Sequence, residues 1–371
     1  MISHGETGVP ERVLNLYSLL ALGMSVVIGI LASCMDGGTG GITAFLQVTA
    51  VCLLASVPAT AFISQSRPAA ILEHRFHKLG TVLCGWQGVE GLCGRAVFPL
   101  GFDDLCPKES VRLNGMKFFG NREPEFVITC TAAVISADGC GLEPIFTQLL
   151  ETHNGRHYTA VELRHYETGG LGGTVAGAKV LIGSWAFMKE MKIEVPDSAR
   201  IGYGVYVAID GELAGVYAVS YEKTPSTAAG LSTLTSYKDL GCVVVSHDFV
   251  LTNGFVKAKF GVNAKRFAIP DHESREQMQK KHLPKETPAL LICTRRGLAP
   301  LAYGVTGARV LRSTCRAGAI LHMIGGLVGL AVMLFLVLLG ALHLLTPANM
   351  FLYQLVWMIP ALLITEWARI V

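Results

Sequence analysis

Carboxylate, thiol and glycine chemistry is concentrated at a few points of this chain. Ser246-His247-Asp248 closes a short apolar run with a hydroxyl, an imidazole and a carboxylate. An aspartate in such a place caps the helix that follows by accepting its first free amides. Gly169-Gly170 and Gly172-Gly173 leave backbone bare, so a ligand can approach it closely, although a ligand-free hairpin uses glycine for the same freedom. Cys52, Ser56 and Pro58 lie within one apolar stretch. A soft-metal site there needs several thiolate or imidazole donors converging. His322 and His343 flank another apolar stretch, where interfacial histidines are common. Cys84, Cys93 and Cys106 lack the paired short spacings of a zinc site. No metal site is read, and the ten cysteines read as small buried hydrophobes in a reducing cytosol.

Elements must hold these residues, and hydropathy defines the first of them. At 371 residues and 51% hydrophobic, the chain is too apolar for an ordinary soluble protein. The excess lies in four segments, 13–33, 42–63, 318–341 and 348–368, with no Lys, Arg or Asp at their centres. Each is long enough to cross a bilayer at about 1.5 Å per residue. Pro58 breaks the second and frees a backbone carbonyl that lipid cannot satisfy, so the break should face protein or water. Gly23 and Gly29 suit the first span to close helix packing.

Charge sets the orientation. Arg12, Arg67, Arg75, Lys78, Arg309, Arg312, Arg316 and Arg369 flank the spans, while the short connections 34–41 and around Thr346-Pro347 carry no Lys or Arg. The positive-inside rule therefore places both termini and the large middle region in the cytoplasm of a multi-pass membrane protein. The net charge of +3 is used up by these flanks, which leaves no case for nucleic acid. Membrane lipid is the partner this reading implies.

Between the second and third spans lies a water-soluble region of two characters. Its outer part has short apolar runs at 81–84, 242–246, 266–269 and 289–293, alternating with helical patterns at 226–240, 250–260 and 273–282. That alternation predicts a doubly wound α/β unit with a parallel sheet and sites at the strands' carboxyl ends. The inner part reads as a β-rich run at 125–136, a helix at 144–152, and strands at 179–182, 203–209 and 213–221. Asp210-Gly211 between the last two is a hairpin signal, since both residues tolerate positive φ. An antiparallel α+β domain is thus inserted in the α/β unit.

The order of a proline-broken apolar helix and then a strand and turn resembles the P-type ATPases, the cation pumps. Gly177-Ala178-Lys179-Val180-Leu181-Ile182-Gly183, Phe187-Met188 and Val207-Ala208-Ile209-Asp210-Gly211-Glu212-Leu213-Ala214-Gly215 are similar to their heavy-metal branch. The resemblance covers nearly the whole chain. It implies four transmembrane helices, a cytoplasmic haloacid-dehalogenase-like phosphorylation domain at 65–94 and 217–316, and an inserted nucleotide-binding-like domain at 95–216. Residues 1–64 and 317–371 would hold the helices. Ahead of Val13 there is no room for the family's earlier spans or actuator domain, so a protein partner supplying them is expected.

The resemblance also shows what chemistry is missing. The family's phosphorylated Asp-Lys-Thr-Gly motif aligns with Gly85-Trp86-Gln87-Gly88, so the nucleophile and its lysine are gone. Asp248 is retained in the second motif, beside His247 in place of a glycine, and the aspartate expected after the hairpin aligns with Tyr221. Cys293-Thr294-Arg295 and Gly297-Leu298 stand where the magnesium carboxylates belong. Phosphoryl transfer needs these groups. No cofactor is assigned; ATP stays open, with Gly169, Gly170, Gly177 and Gly183 as the nucleotide-binding candidates, and the lost carboxylates argue against magnesium. Val57-Pro58-Ala59 lacks the flanking cysteines of the family's metal motif, which leaves Cys52, Ser56 and Pro58 as ion-path candidates.

The expected function is a non-catalytic binding or regulatory pseudo-pump, in which Arg295, Arg296 and the 169–173 loop serve a partner or an anionic ligand. The alternatives are a divergent cation or heavy-metal pump and a structural membrane protein without a ligand. The topology is tested by labelling intact cells with an impermeant thiol reagent. Cys34 should react while Cys84 and Cys106 should not; strong labelling of the latter two would reverse the orientation.

Overall fold

The computed structural model describes residues 9–36, 41–56, 60–153, 155–246, 248–261, 266–280 and 288–369. Three helices come first: α1 (Val9–Asp36), α2 (Gly41–Ser56) and α3 (Thr60–Leu79). A short strand β1 (Thr81–Leu83) and α4 (Gly85–Gly91) follow, then β2 (Ala96–Leu100) and α5 (Phe102–Leu105). Next are β3 (Val111–Phe118), α6 (Pro124–Asp138), α7 (Glu143–Thr152), β4 (Val161–Tyr166), β5 (Gly170–Val175) and β6 (Ala178–Gly183). After α8 (Trp185–Glu190) come β7 (Gly204–Ile209), β8 (Glu212–Tyr221), α9 (Pro225–Ser236), β9 (Leu240–Val244) and α10 (Asn253–Phe260). The chain ends with β10 (Phe267–Ala268), α11 (His272–Lys280), β11 (Leu291–Cys293), α12 (Leu298–Leu338) and α13 (Pro347–Glu366). It divides into two compact units, one built from residues 1–94, 288–295 and 303–371 and the other from 95–287 and 296–302.

Among the described residues, four stretches of helix are long and apolar enough to cross a membrane, and the chain is a membrane protein on that ground. Pro58, with Val57 and Ala59, lies outside the described residues. The end of α2 on its near side is informative. The Tyr17 hydroxyl donates to the Ser56 carbonyl at 2.9 Å, and lipid has no donor to offer there. A Cβ on Gly326 would strike the Tyr17 hydroxyl, and one on Gly329 would come within 2.7 Å of the Ala55 carbonyl. Bare backbone on α12 therefore lets it lie against the end of α2. Ile28, Ala32, Val48, Cys52, Ala55, Leu330 and Met333 form the apolar core around this contact.

The two short apolar runs expected in a parallel sheet, 81–84 and 289–293, pair with each other instead. β1 and β11 are antiparallel, Thr81 opposite Cys293 and Leu83 opposite Leu291. Thr294 closes the pair, with its backbone amide donating to the Gly80 carbonyl at 2.7 Å. A three-residue apolar strand is satisfied by either direction of partner, so its sequence does not encode which.

The second unit holds two sheets. In the parallel sheet, of order β10-β9-β2, Ala96–Leu100 lies against Leu240–Val244 and Phe267–Ala268 against Cys242–Val243. The strand beside β9 is thus β2, expected inside the insert, and the antiparallel domain begins at Val111 rather than at Arg95. That domain is a six-stranded antiparallel sheet of order β3-β8-β7-β6-β5-β4, closed by Val111 opposite Tyr221. The expected hairpin is present, with Asp210 and Gly211 at φ of 53° and 88°. The Asp210 carboxylate accepts from the Lys179 amide at 2.9 Å and from Arg122 at 2.7 Å, and the Lys179 bond leads in holding it below the usual carboxylate range.

The β-rich run at 125–136 is helix α6. Pro124 opens it and Gly139, left-handed at φ 67°, closes it. Positions 127–135 are buried without interruption, so packing on all sides overrides the β-branched composition.

Phe187 of α8 is fully buried, and its ring occupies the space where a Cβ on Gly170 or Gly183 would stand. Phe187→Ala should cost about 3–5 kcal/mol of stability through the cavity it opens. Gly170→Ala should cost about 1–3 kcal/mol through overpacking. Chemical denaturation of the purified protein measures both.

Candidate functional site

In an open α/β sheet, ligands bind beyond the carboxyl ends of the strands. Here β2 ends at Leu100 and is followed by Asp103 and Asp104; β9 is followed by Ser246 and Asp248; β10 by Asp271 and His272. Asp103 is exposed. Asp104 turns back to accept the Gly101 amide at 2.8 Å.

Asp248 is buried, 1% exposed, and both carboxylate oxygens accept backbone amides, Gly141 at 2.7 Å and Val250 at 3.0 Å. Its own amide donates to the Ser246 hydroxyl at 3.2 Å. The helix-capping role expected of Asp248 belongs instead to Thr252, whose hydroxyl accepts the Phe255 amide at 3.3 Å and caps α10. Asp248 clips the α6–α7 connection to the end of β9. Two thiols lie in its field: burial pushes Cys106 up to about 12 and Cys140 well above its ordinary value, and the Asp248 charge adds to both.

Across from Asp248, a cavity of about 310 Å³ opens between the end of β4 and the loops that follow β9 and β10. Arg275 of α11 lines it, 7% exposed, donating to the Ser246 carbonyl at 3.0 Å. Burial lowers the Arg275 pKa, and Glu167, Asp248 and Asp271 oppose that shift. The rings of His165 and His272 stack at 4.1 Å, and His165 bonds to Asp138. The His272 amide donates to Glu167 at 2.8 Å, and Asp271 caps α11 by accepting the Ser274 amide at 3.0 Å. The Ser274 hydroxyl bond leads in holding Asp271 below its usual range.

Of the four nucleotide candidates, Gly169 and Gly170 line this cavity. Gly169 is left-handed at φ 88°, and a Cβ there would stand 2.8 Å from the Phe249 carbonyl. Gly170 and Gly183 make room for Phe187, and Gly177 is a turn residue at φ 84° with open space beside it. The loop glycines are therefore explained largely by turns and packing. Gly85, left-handed at φ 67°, begins α4, and the indole of Trp86 donates to Glu90 at 3.3 Å. Glu90 in turn pairs with Arg312 at 2.9 Å. Gln87 is exposed, and Gly88 is buried against the Leu290 carbonyl. Arg295 and Arg296 are exposed, and Tyr221 is buried in edge contact with Phe255 and Tyr203. Cys52 packs in the membrane core and the Ser56 hydroxyl bonds back to Leu53 at 3.2 Å. Among the described residues no group of three or more His, Cys, Asp and Glu side chains could hold a metal.

Sequence reasoning missed His165, His272 and Arg275. The signal available for the last two was Asp271 three residues before Ser274, an N-cap pattern that starts α11.

No family model matches the chain, and no curated protein does. Among solved structures it is similar to a zinc-transporting PIB-type ATPase in the E2.Pi state, at 13% identity and TM-score 0.47, over 99% of this chain and 64% of that one. It is also similar to the N-domain of HMA8, a copper-transporting P-type ATPase, at 20% identity and TM-score 0.26, over 29% of this chain and 98% of that one. A third is the catalytic domain of the CPx-ATPase CopB-B, at 10% identity and TM-score 0.33, over 53% and 69% of the two chains. This chain spans 64% of the length of the zinc-transporting structure.

Asp248→Asn would keep one acceptor and turn an amide nitrogen toward the other backbone donor. It should cost about 1–3 kcal/mol, read by chemical denaturation. Iodoacetamide at pH 8 should leave Cys140 unmodified in the wild type and alkylate it in the variant, because the clip that seats Gly141 is lost.

Proposed function

We propose that this chain is a membrane-bound, non-catalytic pseudo-pump, with the arrangement of a heavy-metal P-type ATPase core, that works by binding. Its soluble part faces the cytosol in this reading. The observation that carries the proposal is how the acidic groups at the strand ends are engaged. Asp248 accepts two amides, Asp104 the Gly101 amide and Asp271 the Ser274 amide. A carboxylate committed to backbone donors is a poor nucleophile and a poor metal ligand, because either task gives up those bonds, and at Asp248 it does so in a buried place. The strand just before Gly85, β1, supports the same reading, since it pairs with β11 and carries no carboxylate at its end.

A second reading is phosphoryl transfer through Asp103. The pairing of β2 with β9 favours it, because it sets Asp103 in the turn after a parallel strand, and its carboxylate is exposed. It would make the chain a divergent cation pump.

Magnesium-dependent ATP hydrolysis and trapping of an acid-stable phosphoenzyme on the purified protein decide between the two. The pseudo-pump gives neither. Gly85→Asp alone should restore nothing, since the residue is left-handed at φ 67° and has tryptophan beside it in place of a lysine. Each missing electrostatic contact raises the barrier by about 3–4 kcal/mol, and two or three remove about 5 or more orders of magnitude in rate. A phosphoenzyme lost in Asp103→Asn would establish the second reading and overturn the first.

A further inference from the structure

A second cavity shares Phe249 and Thr252 with the cavity at Asp248 and is otherwise lined by different residues. It has a volume of about 740 Å³, within the range of small-molecule sites, and lies between α8, the start of β7 and α10. Trp185, Tyr203, Tyr221, Phe249 and Phe255 wall it. Tyr203, Tyr221 and Phe255 meet edge to face at 5.0 to 6.4 Å, which holds each ring by its neighbours. Ile201 and Tyr203 are 38% and 42% exposed at the mouth, an apolar surface that water covers at a cost.

Charge at this cavity has one sign. Arg200 is the one charged side chain among the described residues that line it. Its guanidinium lies over the Trp185 ring at 5.1 Å, with Lys189 over the same ring at 5.6 Å and Lys259 over Tyr203 at 5.8 Å. Arg200 also meets Asp197 at 3.0 Å, but both side chains are largely in water, so the pair is weak and gives way to a better partner. The Ser184 hydroxyl is already engaged, accepting the Phe187 amide as the α8 cap.

We propose that this cavity binds an apolar acid: a molecule with an elongated or flat hydrocarbon body and one carboxylate or sulfonate, the body against the aromatic wall and the acid on Arg200. Aromatic walls reward the burial of hydrocarbon at about 25 cal/mol per Å². A single cation matches a single negative charge. A nucleotide fits less well. Its base needs several converging donors and acceptors, and its triphosphate needs more than one lining cation. The proposal stands apart from the pseudo-pump reading, because it holds whether or not the strand-end site transfers phosphate.

The test uses the full chain in nanodiscs of zwitterionic lipid, so that no detergent competes, with empty discs as the baseline. The probe is 8-anilinonaphthalene-1-sulfonate, followed by its fluorescence, and displacement is measured with decanoate, decanol and ATP. Saturable probe binding displaced by decanoate is expected. Arg200→Gln should weaken decanoate about tenfold, the loss of one charge-assisted bond, and leave decanol unchanged. Gly254 lines the cavity and a Cβ there meets nothing within 4 Å, so Gly254→Trp should fill the space and abolish binding while the fold stays intact. Unchanged circular dichroism and thermal unfolding check that last condition. Three results would overturn the proposal: no saturable binding above empty discs, binding indifferent to both substitutions, or ATP displacing the probe at lower concentration than decanoate. ATP hydrolysis reads the pseudo-pump proposal independently of these titrations.

Discussion

A buried carboxylate must have its charge answered by hydrogen-bond donors, and the second unit is arranged around one that is. Asp248 sits at the end of β9 with a donor on each oxygen, Gly141 from the α6–α7 connection and Val250 from its own turn. One side chain therefore fixes the end of a parallel strand and the entry to α7, a helix of the antiparallel domain. The Cys106 and Cys140 thiols sit in the same field, and their raised pKa values report how dry that junction is.

The same rule operates in lipid with fewer partners to choose from. Ser56 is the last described residue of α2, and its carbonyl needs a donor that lipid does not offer. Tyr17, on a different helix, supplies the missing donor. The glycines of α12 then become intelligible: Gly326 and Gly329 are bare where Tyr17, Ser56 and Ala55 come up against the helix.

Much of the architecture was legible in the amino-acid order, because long apolar helices and the Asp-Gly hairpin are strong local signals. The helices long and apolar enough to span, the inserted antiparallel sheet and the turn at Asp210-Gly211 all stand as read. Direction was not legible. Runs of three to five apolar residues look alike whether their partner is parallel or antiparallel, so by sequence 81–84 reads like the parallel strands, while the proline in Ala96–Leu100 hides a parallel one. In α6, Val127, Ile128, Thr129 and Thr131 suggest a strand by type, and only the burial around them makes a helix. The cavity beside Asp248 was less visible still. His165 and His272 are 107 positions apart and stack because the end of β4 meets the start of α11, and no spacing in the chain announces that.

Phe187 and its two glycines form a small lock. Each glycine is bare because the ring is there, and the ring is buried because the glycines are bare. Substitutions at 170 and 187 are therefore epistatic: a larger residue at 170 becomes admissible once the ring at 187 has shrunk, whereas the Gly169 carbonyl, 2.7 Å from a Cβ at 183, keeps that second glycine bare as well. Within any set of diverging chains built on this sheet, glycine at 170 would covary with the size of the residue at 187, while glycine at 183 would persist. Such a pattern would carry the signature of a packing constraint, even in a protein whose glycines are read as a ligand's footprint.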